Sequence, residues 1–372
     1  MKKYVYSSIL LVSALLILVG WGGTGHSKIS DASGLSFNPQ MQQLQSWVTF
    51  LRDHASDADA RKSSDPTESP KHYIDIDNYS EFLATGRIPQ TYDSIIALHG
   101  SAVVINNGIL PWATKASFDS LRNCMQRRDF TKAKIFAADL GHYVADGHMP
   151  LHITRNYDGQ YSGNSGIHSR YESTMINAFI SQIMYTGENA VEISNVNQYI
   201  FDYLYADYKY CDSVISADNY AKSLSGGSTS STVYKNALWA KSKSFTIPLF
   251  HNASNALAKL IYTAWIQAGS PSLITGLNDP KAVSNATLDQ NMPNPFAGST
   301  RITYTLKENT SVLLQVCDIN GVTITTLVHS QLPAGEYNCE WVPGNLAAGV
   351  YYLVLHTGNF MQTKKVVYSG GK

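Results

Sequence analysis

At Gly269 the spacing of apolar residues changes, and no other feature limits so strongly how this chain can fold. Before that point apolar residues recur every three or four positions. In TKAKIFAADLGHYVADGH they are Ile135, Phe136, Leu140, Tyr143 and Val144. In YESTMINAFISQIMY they are Met175, Phe179, Ile180 and Ile183, and in FHNASNALAKLIYTAWIQAG they are Leu257, Leu260, Ile261 and Trp265. That period predicts helices with one buried face. After Gly269 the apolar residues alternate instead: Ile302, Tyr304 and Leu306, then Val312, Leu314 and Val316, then Tyr351, Leu353 and Leu355. Period two predicts strands, and Asn320-Gly321 between two such runs marks a hairpin turn. About seven short strands make a small immunoglobulin-like β-sandwich the expected fold of this half. The fold class is therefore an all-α domain followed by an all-β one.

The expected boundaries follow from composition. MKKYVYSSILLVSALLILVG opens with Lys2 and Lys3 before an apolar run, the layout of a signal peptide over residues 1–20. A membrane-spanning helix needs about 20 apolar residues, which this run does not reach, and no later segment is long and apolar enough. The helical domain should cover 21–268, a Pro/Asn/Ser-rich linker 269–290 and the β-domain 291–372. SLSGGSTSSTV reads as a surface loop within the helical half. Formal net charge is zero, so no bulk field draws the chain to nucleic acid or membrane. Cys124, Cys211, Cys317 and Cys339 fall two and two between the halves, which suits disulfides within each half of an exported protein.

One stretch carries chemistry. His142, Asp146 and His152 are followed by His168 and Glu172, and both four-residue spacings put ligand types on one helix face. Pro150 ends the first helix, so His152 can swing back toward the same centre. Imidazole and carboxylate without thiolate is the donor set of catalytic zinc. His148 reads as an ordinary hydrogen-bonded histidine.

HYVADGHMPLH with GIHSRYE resembles the superfamily that joins bacterial zinc-dependent phospholipases C with fungal single-strand-specific nucleases. The resemblance covers Trp21 to about residue 268 and implies an all-helical fold holding three zinc ions and cleaving phosphate esters. It implies one zinc on Asp57, His72, His142 and Asp146, and a second on His152, His168 and Glu172. The third would sit on His26 and on the terminal amine and carbonyl of Trp21, with Asp146 bridging to the first. Asp57 and Asp59 both lie in the matching stretch, and the fifteen-residue gap to His72 favours Asp57. Asp57 and Asp146 are the expected catalytic carboxylates. A phospholipid head group is the preferred substrate, with nucleic acid or nucleotide as the alternative, for which Tyr73 and Tyr143 could stack on bases. A non-enzymatic surface protein holding structural zinc is the reading from a different class.

The C-terminal segment resembles the sorting domains of the type IX (Por) secretion system. The matching parts are Asn294-Pro295-Phe296, Asp318 to Gly321, Ala334 to Tyr337, Trp341, Ala348 to Tyr351 and Thr363 to Lys365. This implies contact with secretion machinery and release, through the periplasm, to the cell surface or beyond.

Overall fold

A computed structural model of the chain describes residues 21–273, 286–318, 323–357 and 360–370, the side chains of 360 and 361 excepted. The expected leader, linker residues 274–285 and the Asn320-Gly321 turn lie outside the described residues. The chain divides into two compact units between Pro271 and Ser272.

The first unit is helical. Its main elements are α1 (Gly22–Ser33), α2 (Leu110–Gln126), α3 (Phe130–Gly147), α4 (Val196–Tyr208), α5 (Cys211–Leu224) and α6 (Thr232–Gln267), joined by shorter helical turns. Side chains cap several starts: Asp129 accepts from Lys132 N, Asn195 from Gln198 N and Ser231 from Tyr234 N. Each cap satisfies an amide the helix itself leaves without an acceptor. α6 begins eighteen residues before the FHNASN run because Tyr234, Ala237, Leu238 and Ser242 continue the same buried stripe. Pro248 is accommodated inside it. YESTMINAFISQIMY is less regular than its period suggests. It runs through a π-helical turn at Arg170–Met175, a short α segment at Ile176–Phe179 and a 3-10 turn at Ile180–Gln182. π turns of this kind are frequent at functional sites.

One core cluster lies directly behind the histidines. Trp21, Ile29, Ala145, Met149, Leu151, Tyr171 and Phe250 are all buried in it. Trp21 packs its ring 4.5 Å from Phe250 and 5.7 Å from Tyr171. Its carbonyl accepts from Gly25 N and so opens α1.

The second unit is a β-sandwich. A three-stranded sheet, β1 (Ala286–Leu288), β2 (Thr300–Leu306) and β5 (Gly335–Trp341), has the order β1-β2-β5. A four-stranded sheet, β3 (Thr310–Cys317), β4 (Thr323–Leu332), β6 (Gly349–Thr357) and β7 (Phe360–Tyr368), has the order β4-β3-β6-β7. All named pairs are antiparallel. The alternating residues read from sequence are the buried ones: Ile302, Tyr304, Leu306, Val312, Leu314, Val316, Tyr351, Leu353 and Leu355. β1 corrects the linker boundary. It lies inside 269–290, yet Ala286 and Leu288 are buried and pair with Leu306 and Tyr304.

The expected disulfides are not formed, and all four cysteines are free thiols. Cys211 donates to the Pro150 carbonyl at 3.1 Å, while Cys124 lies on α2 beside Arg127. Cys317 and Cys339 belong to strands of opposite sheets. Protein denatured without reductant should therefore take up four equivalents of a thiol-alkylating reagent. Uptake of two or none would restore the paired reading.

Candidate metal centre

α3 supplies the centre of the site. His142 and Asp146 are one turn apart on it, and both are buried. Past Gly147 the chain turns at Pro150 into a 3-10 turn that ends on His152. A distant segment, Ser69–His72, is fastened beside it. Ile74 N donates to the His152 carbonyl at 2.8 Å, and His152 Nδ1 donates back to the His72 carbonyl at 2.6 Å. Gly108, at φ +84°, lets a neighbouring loop press on the same segment, because a Cβ there would collide with the Tyr73 carbonyl.

Four imidazoles from four segments surround the Asp146 carboxylate. Oδ2 lies 3.0 Å from His72 Nδ1 and 3.3 Å from His142 Nε2. Oδ1 lies 3.4 Å from His26 Nε2 and 3.4 Å from His152 Nδ1. Asp59 approaches His72 and His142 at 3.5 Å. Beyond His152, its Nε2 lies 3.2 Å from His168 Nε2, and Glu172 Oε2 lies 3.1 Å from the latter and 3.6 Å from the former. The donors thus form three buried groups: His26, His142 and Asp146; Asp59, His72 and His142; and His152, His168 and Glu172.

The hydrogen bonds of this constellation suit it to cations. His142 Nδ1 donates to the Ala55 carbonyl at 2.7 Å and His168 Nδ1 to the Tyr157 carbonyl at 3.1 Å. With a cation at the centre and Nδ1 holding the only ring proton, each ring would turn an Nε2 lone pair inward, and the Nε2 atoms of His152 and His168 face each other at 3.2 Å. Tetrahedral zinc with nitrogen ligands spaces its donors roughly 3.3 Å apart, close to the separations here. A backbone carbonyl behind the remote ring nitrogen is also the usual support of a metal-binding histidine. Both nitrogens of His26, Asp59 Oδ2, Asp146 Oδ1 and Glu172 Oε2 are buried without a hydrogen-bond partner. Orphans on this scale are costly unless an ion joins them.

The electrostatics show the same demand for positive charge, which a proton on His142 meets where no cation is bound. Burial opposes charge on Asp146, but the imidazoles of His142 and His152 outweigh it and hold the carboxyl well below its usual range. Burial likewise opposes charge on His142, yet Asp146 and Asp59 push it up to about 10. His26 stacks on His142 at 4.0 Å, and burial together with that neighbour lowers its pKa.

The structure places the sequence-derived residues as follows. His26, His72, His142, Asp146, His152, His168 and Glu172 come together. Trp21 sits at the head of the helix that carries His26, with its side chain fully buried. Asp57 is the exception. Its side chain is 55% exposed and pairs with His54 at 2.8 Å, away from the cluster, while Asp59 is inside it. The two lie on the short helix Asp57–Arg61. Two residues turn a helix through about 200°, so only one of them can face inward. Tyr143 is corrected too: it is buried, edge-on to His72 and His142, and its hydroxyl donates to Glu68, so it offers no open stacking face.

Glu68 was not singled out from sequence. It is buried 3.5 Å from His72 Nε2 and also receives Lys71 at 2.8 Å, so it braces the outer side of that ring. Its position four residues before His72 was the available signal.

Residues 292–369 match the family described as secretion system C-terminal sorting domain, which marks the chain for export to the cell surface or the extracellular space. No helix among the described residues is long and apolar enough to cross a membrane. No curated protein matches the chain. Among solved structures it is similar to the alpha toxin from Clostridium absonum, at 10% identity and TM-score 0.44, over 94% of this chain and 97% of that one. It is also similar to alpha-toxin from an avian strain of Clostridium perfringens, at 10% identity and TM-score 0.45, over 94% and 98%. Likenesses of that size carry no weight for the chemistry, which rests on the geometry above.

Two outcomes are expected. Asp59→Asn should lose roughly one equivalent of bound metal, by elemental analysis, and Asp57→Asn none, since one ligand of an open site usually matters far more than a surface carboxylate. The opposite pattern would return Asp57 to the site. Deletion from residue 290 onward should hold the protein in the periplasm with its metal content unchanged, and normal release would refute the sorting role.

Proposed function

We propose that the helical unit is a zinc-dependent phosphodiesterase of the phospholipase C type, acting outside the cell. The observation that carries this reading is the buried Asp146 carboxylate ringed by His26, His72, His142 and His152. The proposed holders of the ions are Asp59, His72, His142 and Asp146 for one and His152, His168 and Glu172 for a second. His26 would hold a third with the Trp21 amine and carbonyl, once the leader is removed, Asp146 being shared. Bound zinc would supply neutralisation of the phosphate and a water acidified toward neutral pH.

The remaining work falls to the chain itself. Asp146 fixes the relative positions of four ligand-bearing segments. Asp59 keeps Oδ1 on Lys62 at 2.7 Å and leaves Oδ2 buried and unpartnered, suited to orienting a water and taking its proton. Glu68 keeps the His72 ring from turning. The apolar cluster behind the histidines keeps bulk water from that side, which strengthens every charge interaction in the site.

A phospholipid head group is favoured over nucleic acid. The chain has no net charge with which to gather a polyanion. Tyr143 is buried, and the Tyr73 hydroxyl is tied to the Asn106 carbonyl at 3.2 Å.

The deciding experiment sets short-chain phosphatidylcholine beside single-stranded DNA, each with and without a chelator. Chelator-sensitive release of phosphocholine is expected. Cleavage of DNA alone would transfer the reading to a nuclease, and bound metal without turnover of either would make the zinc structural. Asp146→Ala should abolish both metal retention and turnover, and a variant with full rate would sink the mechanism.

A further inference from the structure

Behind α3, away from the metal centre, the helical unit holds a cavity of about 210 Å³. Val144 and His148 are each two residues on from His142 and Asp146, and so lie about 200° around the helix from them. His148 is buried and donates Nδ1–H to the Val144 carbonyl at 2.8 Å, which leaves Nε2 as an acceptor. Facing it from α4 is Asp207, only 4% exposed, whose Oδ2 has no hydrogen-bond partner. Nε2 and Oδ2 are 4.0 Å apart, too far to bond each other, and both residues line the cavity.

The walls are aromatic. Tyr203 lies one turn before Asp207 and stacks its ring on His148 at 4.3 Å, and Tyr199 meets Tyr203 edge-on at 6.0 Å. Glu188 and Lys259, of opposite charge, also line it, as does His251, whose Nε2 bonds the Met184 carbonyl at 2.7 Å. Burial pushes the Asp207 carboxyl up to about 8, against the pull of the exposed Lys209, so a cation seated beside it would draw it from the neutral to the charged, accepting form.

Two buried acceptors 4.0 Å apart ask for a group that donates at least two hydrogens. A nitrogen about 2.8 Å from both would see them at an angle near 90°, within reach of the tetrahedral N–H directions of an ammonium group. Positive charge would pair with the carboxylate. The cavity is far larger than the ~30 Å³ that one water occupies in the liquid, so a small organic molecule fits.

We propose that this cavity is a binding site for a small primary amine in its ammonium form, held by Asp207 and His148. It uses none of the proposed metal ligands and stands whether or not the hydrolase reading does.

The test is calorimetric titration of the intact exported protein at about pH 8.5, where the Asp207 carboxyl is mostly ionised and an alkylamine mostly protonated, with ethanolamine, choline and ethylene glycol. Ethanolamine should bind saturably at roughly millimolar concentration, as suits so small a ligand. Choline, which lacks N–H donors, and ethylene glycol, which lacks charge, should bind at least ~10-fold more weakly. Asp207→Asn should cost ethanolamine at least ~10-fold in affinity while leaving ethylene glycol unchanged. The substitution conserves volume and removes an unpaired buried carboxylate, so its melting temperature should hold or rise. If it fails to fold, wild-type melting decides, since ethanolamine alone of the three should raise it. Equal effects of all three ligands, no saturation by about 100 mM ethanolamine, or undiminished affinity in Asp207→Asn would each overturn the proposal.

Discussion

A buried carboxylate is expensive to keep charged unless positive or proton-donating groups close around it. Asp146 has no solvent exposure, and the helical unit is arranged around that constraint. α1, the turn before Tyr73, α3 and the turn after Pro150 each send one histidine to it. No single segment could do so, because one helix face offers a neighbour only every three or four residues. The fold of this unit brings four such faces to one anion.

How much of this was legible in the sequence depends on how local each signal is. His142 with Asp146 and His168 with Glu172 could be read because four residues make one helical turn whatever the tertiary fold. The strands could be read because alternation at Ile302, Tyr304 and Leu306 means one buried face in any sandwich. Asp59 was harder. Choosing between it and Asp57 requires the phase of a five-residue helix, and residue spacing to His72 carries no information about phase. Glu68 acts through another residue's ring and has no motif of its own.

Other signals misled because composition stands in poorly for geometry. Ala286–Leu288 lies in a stretch rich in Pro, Asn and Ser, yet three residues suffice to bury two apolar side chains against β2. An even number of cysteines in an exported chain suggests pairs, but a disulfide needs Cα atoms within about 7 Å and sulfurs turned toward each other. Here Cys317 and Cys339 fall on different sheets, and Cys211 has already found a carbonyl.

The reciprocal bonds between the His72 and His152 segments carry one more consequence. His72 belongs to one donor group and His152 to another, yet each holds the other's backbone in register. A shift of either segment therefore disturbs donors of both groups at once. The groups behave as two ends of one lever, and the chain has no way to loosen its grip at one end while keeping it at the other.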